Sequence, residues 1–109
     1  MEGIDMERWG SMPLMEQMAN IGSEVGRTRK WVEKGNRKLA ESAFCRALEL
    51  FDATIQTGRH GLDSRRPFLK EICRAREMFA GAYMSSDCSS LAWLDRYYGQ
   101  FAMAVQNKR

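Results

Sequence analysis

The sequence predicts an all-α protein, an antiparallel up-down-up-down four-helix bundle with short connections. Three observations predict it. Apolar residues recur at steps of three and four along four successive segments, as one face of a helix requires. No stretch alternates apolar and polar side chains as a half-buried strand does. Short runs of glycine, asparagine and serine separate the segments, and short connections make sequential helices antiparallel neighbours. A length of 109 residues suits a single domain.

The first segment runs from about Pro13 to Glu33, with Leu14, Met18, Ile21, Val25 and Val32 on its apolar face and a polar gap at Thr28 and Arg29. Pro13 fits a first turn, where its missing N–H costs nothing. Lys34-Gly35-Asn36 is a helix stop, because glycine and asparagine adopt positive φ readily. The second segment, Arg37 to Thr57, carries Ala40, Ala43, Phe44, Ala47, Leu48, Phe51 and Ile55, and Gly58 is expected to end it. Arg59-His60-Gly61 then forms a short connection, and Asp63 or Ser64 caps the third segment, with Pro67 in its first turn. Phe68, Ile72, Ala75, Phe79 and Ala82 line that segment. Ser85 to Ser90 is rich in turn and cap residues. The last segment places Leu91, Leu94, Tyr98, Phe101 and Val105 on one face. Residues 1–11 show no definable element and are an N-terminal extension to a single domain at 12–109. Five of the eight methionines fall within the first 18 residues, so Met12 or Met15 are alternative starts. A three-helix core with a detached first helix is the competing arrangement.

Composition narrows the function classes. A net charge of +3 neither demands nor excludes nucleic acid. Three cysteines, Cys45, Cys73 and Cys88, form no paired framework and read as reduced thiols of a cytoplasmic protein. The N-terminus MEGIDMERWG is acidic and unlike a signal peptide, and no apolar run approaches the roughly 20 residues of a membrane span. The partner set is therefore protein or nucleic acid, with no membrane.

The sequence contains an echo: CRALELF at Cys45–Phe51 and CRAREMF at Cys73–Phe79. Shared layers of small and aromatic residues in two central helices account for it. Both helices also carry A-x-x-x-F-x-x-A, as a tetratricopeptide repeat does, but one connection separates the copies where a repeat needs two helices. The stretches NIGSEVGRTRKW, KGNRKLAESAFCRALELFDATI and LKEICRAREMF cover about residues 20–84. They resemble a group of short helical prokaryotic proteins, similar in character to the four-helix bundles encoded in ribosomal-RNA intervening sequences. The resemblance implies that fold and a cytoplasmic location, and it transfers no catalytic residue. RNA-cleaving bundles with an Arg-x(4–6)-His signature lose their key pair here, because no arginine lies at that distance before His60.

Residues 22–28, GSEVGRT, mimic a phosphate loop at the wrong spacing: three residues separate Gly22 from Gly26, no lysine follows, and the preceding residues are helical. Gly22 and Gly26 instead share one helix face, extended by Ala19, which lets another backbone approach. That backbone belongs to the second helix, through its alanines, or to a second copy. Arg27, Arg29, Lys30, Lys34, Arg37 and Lys38 surround the first hairpin turn with Trp31 interleaved, a candidate nucleic-acid patch. The bland alternative is a solvated basic turn. Trp93 and Tyr97 widen the aromatic surface of the last helix beyond one seam; they either cover the bundle beside the N-terminal segment and Trp9 or serve as interface residues that anchor a partner. Glu49 and Glu77 are expected to pair locally with Arg46 and Arg74, and the role of Asp52 stays open. No metal set, cofactor motif or catalytic constellation is visible, since one loop histidine lacks an orienting partner. The function expected is a non-enzymatic interaction module, acting on a protein partner or on itself as a homodimer, with nucleic-acid binding by residues 27–38 as the alternative. An enzyme would require catalytic groups assembled across an oligomer interface.

Overall fold

The computed structural model describes residues 4–60 and 66–107. Among the described residues five helices follow one another: α1 (Met6–Ser11), α2 (Leu14–Glu33), α3 (Arg37–His60), α4 (Arg66–Met84) and α5 (Cys88–Asn107). The described residues contain no strand. None of their helices is long and apolar enough to cross a membrane.

Two turns show how the sequence sets the reversals. At the α2–α3 turn Gly35 has φ 74°, the left-handed conformation its missing Cβ permits. Asn36 N–H donates to Trp31 O at 2.9 Å and Gly35 N–H to Val32 O at 3.1 Å, which satisfies the last carbonyls of α2. The Asn36 side chain then accepts from Leu39 N–H at 3.1 Å and caps α3. The α4–α5 turn repeats the scheme. Ser86 takes the positive φ, 55°, and Asp87 N–H donates to Ala82 O at 2.8 Å. Asp87 caps α5 by accepting from Ser90 N–H and Ser90 Oγ at 3.1 and 2.8 Å. These bonds hold the Asp87 carboxyl below its usual pKa.

Helix α2 lies against α3 and α5, and α4 also lies against α3 and α5. The first long helix is therefore not detached. Ile21, Val25, Phe51, Phe79, Leu91, Leu94 and Tyr98 form the innermost core. The echoed segments meet there, with the Phe51 and Phe79 rings 5.8 Å apart. Phe44 sits 5.3 Å from Phe79 and stacks on Tyr83 at 3.9 Å.

Several expectations need correction. Gly58 does not end the second long helix, since α3 continues to His60; a helix tolerates an interior glycine at about 1 kcal/mol. The expected caps Asp63 and Ser64 lie outside the described residues. Phe68 does not face the core but is 51% exposed. The polar gap at Thr28 is closed: Thr28 is fully buried and its hydroxyl donates to Glu24 O at 2.8 Å. Residues 6–11, where the sequence shows no definable element, form α1. Asp5 caps α1 by accepting from Arg8 N–H. Trp9 is buried against α3 and donates its indole N–H to Thr54 Oγ1 at 2.9 Å. Gln17 ties the link to α2 by donating to Trp9 O and Met12 O at 2.8 and 3.1 Å. Among the carboxylates, Glu49 pairs with Arg46 as expected. Glu77 instead meets Arg76, and Arg74 meets Glu71. Asp52 is an exposed partner of Arg76, joining α3 to α4 at 2.7 Å.

Candidate interaction surfaces

The glycine face belongs to α5. A Cβ on Gly22 would fall 2.8 Å from Tyr98 Cβ and 3.3 Å from Tyr98 O. A Cβ on Gly26 would fall 2.9 Å from Asp95 Oδ1. The helix leaning on these glycines is thus neither α3 with its alanines nor a second copy. Ala19, one turn before Gly22, borders a shallow groove with Ala102 and Val105 of α5. The 3.6-residue period aligned the two glycines on one side of α2. Which helix they would meet depends on how the chain folds back, and a local pattern holds no trace of that.

The same contact removes one cation from the basic hairpin. Because Gly26 has no side chain, the Asp95 carboxylate fits beside it, and Arg29 donates to that carboxylate at 3.0 Å. Arg29 also donates to Glu33 at 2.9 Å. These two bonds, Glu33 first, raise the Arg29 pKa above its already high value. Arg27 pairs with Glu24 within α2. Of the seven residues of the candidate patch, Arg27 and Arg29 therefore face carboxylates of their own chain. Lys30 and Lys34 sit over the Trp31 ring, 5.0 and 5.5 Å from its centroid. Arg37 and Lys38 are exposed in the first turn of α3. Trp31, Asn36, Arg37 and Tyr83 border a groove of about 410 Å³ at this end of the molecule.

On α5, Trp93 is 48% exposed and lies parallel to Tyr97 in an offset stack, with centroids 5.4 Å apart and planes 7° apart. Their spacing of four residues places the rings one above the other on the helix. Tyr97 and the exposed Phe68 of α4 also border an apolar cavity between α2, α4 and α5, together with Met15, Met18 and Tyr98. The Tyr98 ring is buried, and its hydroxyl has no hydrogen-bond partner among the described residues. Burial pushes the Tyr98 phenol well above its usual pKa. The sequence pattern identified Trp93 and Tyr97 but not Met15, Phe68 or the cavity. Methionine and phenylalanine at helical spacing read as ordinary core, and a cavity exists only once three helices meet.

Among the described residues no three His, Cys, Asp or Glu side chains come together as a metal site. Cys45, Cys73 and Cys88 are free and exposed. The side chain of His60 lies outside the described residues. Comparison with protein-family models, curated proteins and solved structures finds no match for this chain.

Proposed function

We propose that this protein is a non-enzymatic helical module that works through protein contacts, forming a homodimer through the Trp93–Tyr97 face of α5. In this reading α2 to α5 form an antiparallel four-helix bundle, α1 lies against α3, and the protein works in the cytoplasm. The observation that carries the reading is the half-exposed Trp93 ring lying parallel to Tyr97. Aromatic side chains fixed before binding lose little conformational freedom on association and dominate contact energies. The exposed Phe68 near Tyr97 extends the apolar surface onto α4. Sedimentation over a concentration series tests the proposal: the mass should rise from 12.6 kDa to twice that value. Trp93→Ala should weaken the dimer about 30-fold or more, as loss of a contact hot spot does. A strict monomer at millimolar concentration would overturn the reading.

A second reading has its own observation. Lys30 and Lys34 flank Trp31, and Arg37 and Lys38 follow across the turn. That set combines phosphate-seeking charge with a ring able to stack on a base. Titration with mixed single-stranded RNA at low salt tests it. Binding should weaken steeply with salt and on reversing Lys30 and Lys34 to glutamate; no binding at low salt would eliminate it.

A further inference from the structure

We infer that the groove between the α2–α3 and α4–α5 turns binds an acidic peptide segment of a partner protein, one that carries a single bulky aliphatic side chain. The groove measures about 410 Å³. An apolar protein cavity of about 150 Å³ accepts benzene, so this groove has room for one such side chain and the backbone beside it. Trp31, Val32, Ala40, Tyr83 and Met84 supply its apolar wall. Met84 is 78% exposed, and flexible thioethers suit surfaces that receive side chains of varied shape.

The acidity of the partner follows from the charges around the groove. Arg37 borders it, and Lys30 and Lys34 lie over the Trp31 ring that forms part of its wall. Among the described residues none of these three cations pairs with a carboxylate, whereas Arg27 and Arg29 beside them do. One carboxylate, Glu41, borders the groove, and Glu33 nearby is taken by Arg29. The excess is positive, and complementary charge steers an acidic partner to it. The preference for a peptide over a nucleic acid follows from the rings. Tyr83 stacks on Phe44 at 3.9 Å, and the Trp31 ring already carries two ammonium groups. A base needs a clear ring face, whereas an aliphatic side chain needs only apolar surface to cover. The groove competes with the nucleic-acid reading for the same lysines. Neither Trp93 nor Tyr97 borders it, so this site and the dimer face fail or succeed separately.

Four probes separate the possibilities: an oligoglutamate peptide with one central leucine, the same peptide with serine in its place, an oligolysine peptide with the leucine kept, and oligouridylate. The full-length protein, isotope-labelled at amide and indole nitrogens and at methionine methyls, is titrated with each at low salt and followed by NMR. The acidic leucine peptide should shift the Trp31 indole and the Met84 methyl saturably and leave the Trp93 indole unmoved. The serine peptide should bind about tenfold more weakly or worse. The oligolysine peptide should leave Trp31 and Met84 unmoved, and oligouridylate should bind more weakly than the leucine peptide. Lys30→Glu combined with Lys34→Glu, both at exposed positions, should weaken the leucine peptide about tenfold or more. The inference is overturned if the leucine peptide shifts neither Trp31 nor Met84, if it shifts Trp93 instead, or if the serine or oligolysine peptide binds equally well. Tighter binding of oligouridylate overturns it in favour of the nucleic-acid reading, and an undiminished response of the double variant overturns the role of the lysines. The comparison of probes on wild type stands even if the variant fails to fold.

Discussion

Replacing Gly22 by alanine sets two effects of opposite sign against each other. Alanine in a helix interior is favoured over glycine by about 1 kcal/mol. At Gly22, however, the added methyl would lie 2.8 Å from Tyr98 Cβ and 3.3 Å from Tyr98 O. Carbon atoms rest about 3.5–4.0 Å apart, so α2 and α5 must separate by most of an ångström. Tyr98 Cβ is fixed to its backbone and cannot swing aside. Overpacking of a well-filled contact costs about 1–3 kcal/mol, and the rigidity of both helices places this case near the upper end. The expected net effect is a loss of about 1–2 kcal/mol. Gly99→Ala is the control: it lies in α5, and its Cβ meets nothing within 4 Å. There the helix preference acts alone, and stability should rise by up to about 1 kcal/mol. Urea unfolding followed by circular dichroism reads both variants, with equal slopes certifying a comparable unfolding reaction. The two should differ by about 1–3 kcal/mol. If Gly22→Ala stabilises as much as Gly99→Ala, the close approach of α5 to Gly22 is wrong.

The remaining predictions concern α1, the buried phenol and the basic hairpin. Trp9→Ala should cost about 3–5 kcal/mol in urea unfolding, because it uncovers the core beside Thr54 and deletes the indole bond; a loss below 1 kcal/mol would mean that α1 contributes little. Burial raises the Tyr98 pKa in the folded state, while the unfolded phenol ionises near about 10. The associated stability is therefore intact below about pH 10 and falls as pH rises further. By pH 11 wild type should lose on the order of 1 kcal/mol more than Tyr98→Phe relative to pH 9, and parallel pH profiles would refute the burial of an ionisable hydroxyl. Arg29→Glu should lower the melting temperature, since it confronts Asp95 and Glu33 with a third carboxylate. Lys30→Glu should leave the melting temperature nearly unchanged, and equal losses for the two would contradict the separate roles given to these cations.

Much of the helical content was legible because burial on one side of a helix leaves a 3.6-residue imprint. Ile21, Val25, Phe51, Phe79, Leu94 and Tyr98 all sit where that imprint places them. The Lys34-Gly35-Asn36 stop was equally legible, since its residues encode a local conformation. Helix α1 was not, because six residues carry less than two turns and show no period. Its signals were chemical, an Asp5 cap and Trp9, and only contact with Thr54 gives Trp9 a reason to be buried. Thr28 misled for a related reason: its hydroxyl is satisfied by the carbonyl of Glu24 within the same helix, so a polar side chain is buried on the apolar face. For the candidate surfaces, residue type located the glycines, the basic cluster and the aromatic pair. It could not show that Asp95, distant in sequence, would claim Arg29.

The two turns built on Gly35–Asn36 and Ser86–Asp87 restrict what the chain can tolerate during its history. In each, the residue that donates the final bond of one helix also caps the next. No spare residue separates the two helices, so their rotational settings are geared together. An inserted residue that joined α3 would turn the buried stripe downstream by about 100°, carrying Phe44 and Phe51 out of alignment with α2. Substitutions at Lys38 or Ser89 leave that gearing intact, whereas a single-codon insertion or deletion at either turn would not. Length variation among functional descendants of this sequence should therefore avoid these two points, even though both lie on the surface.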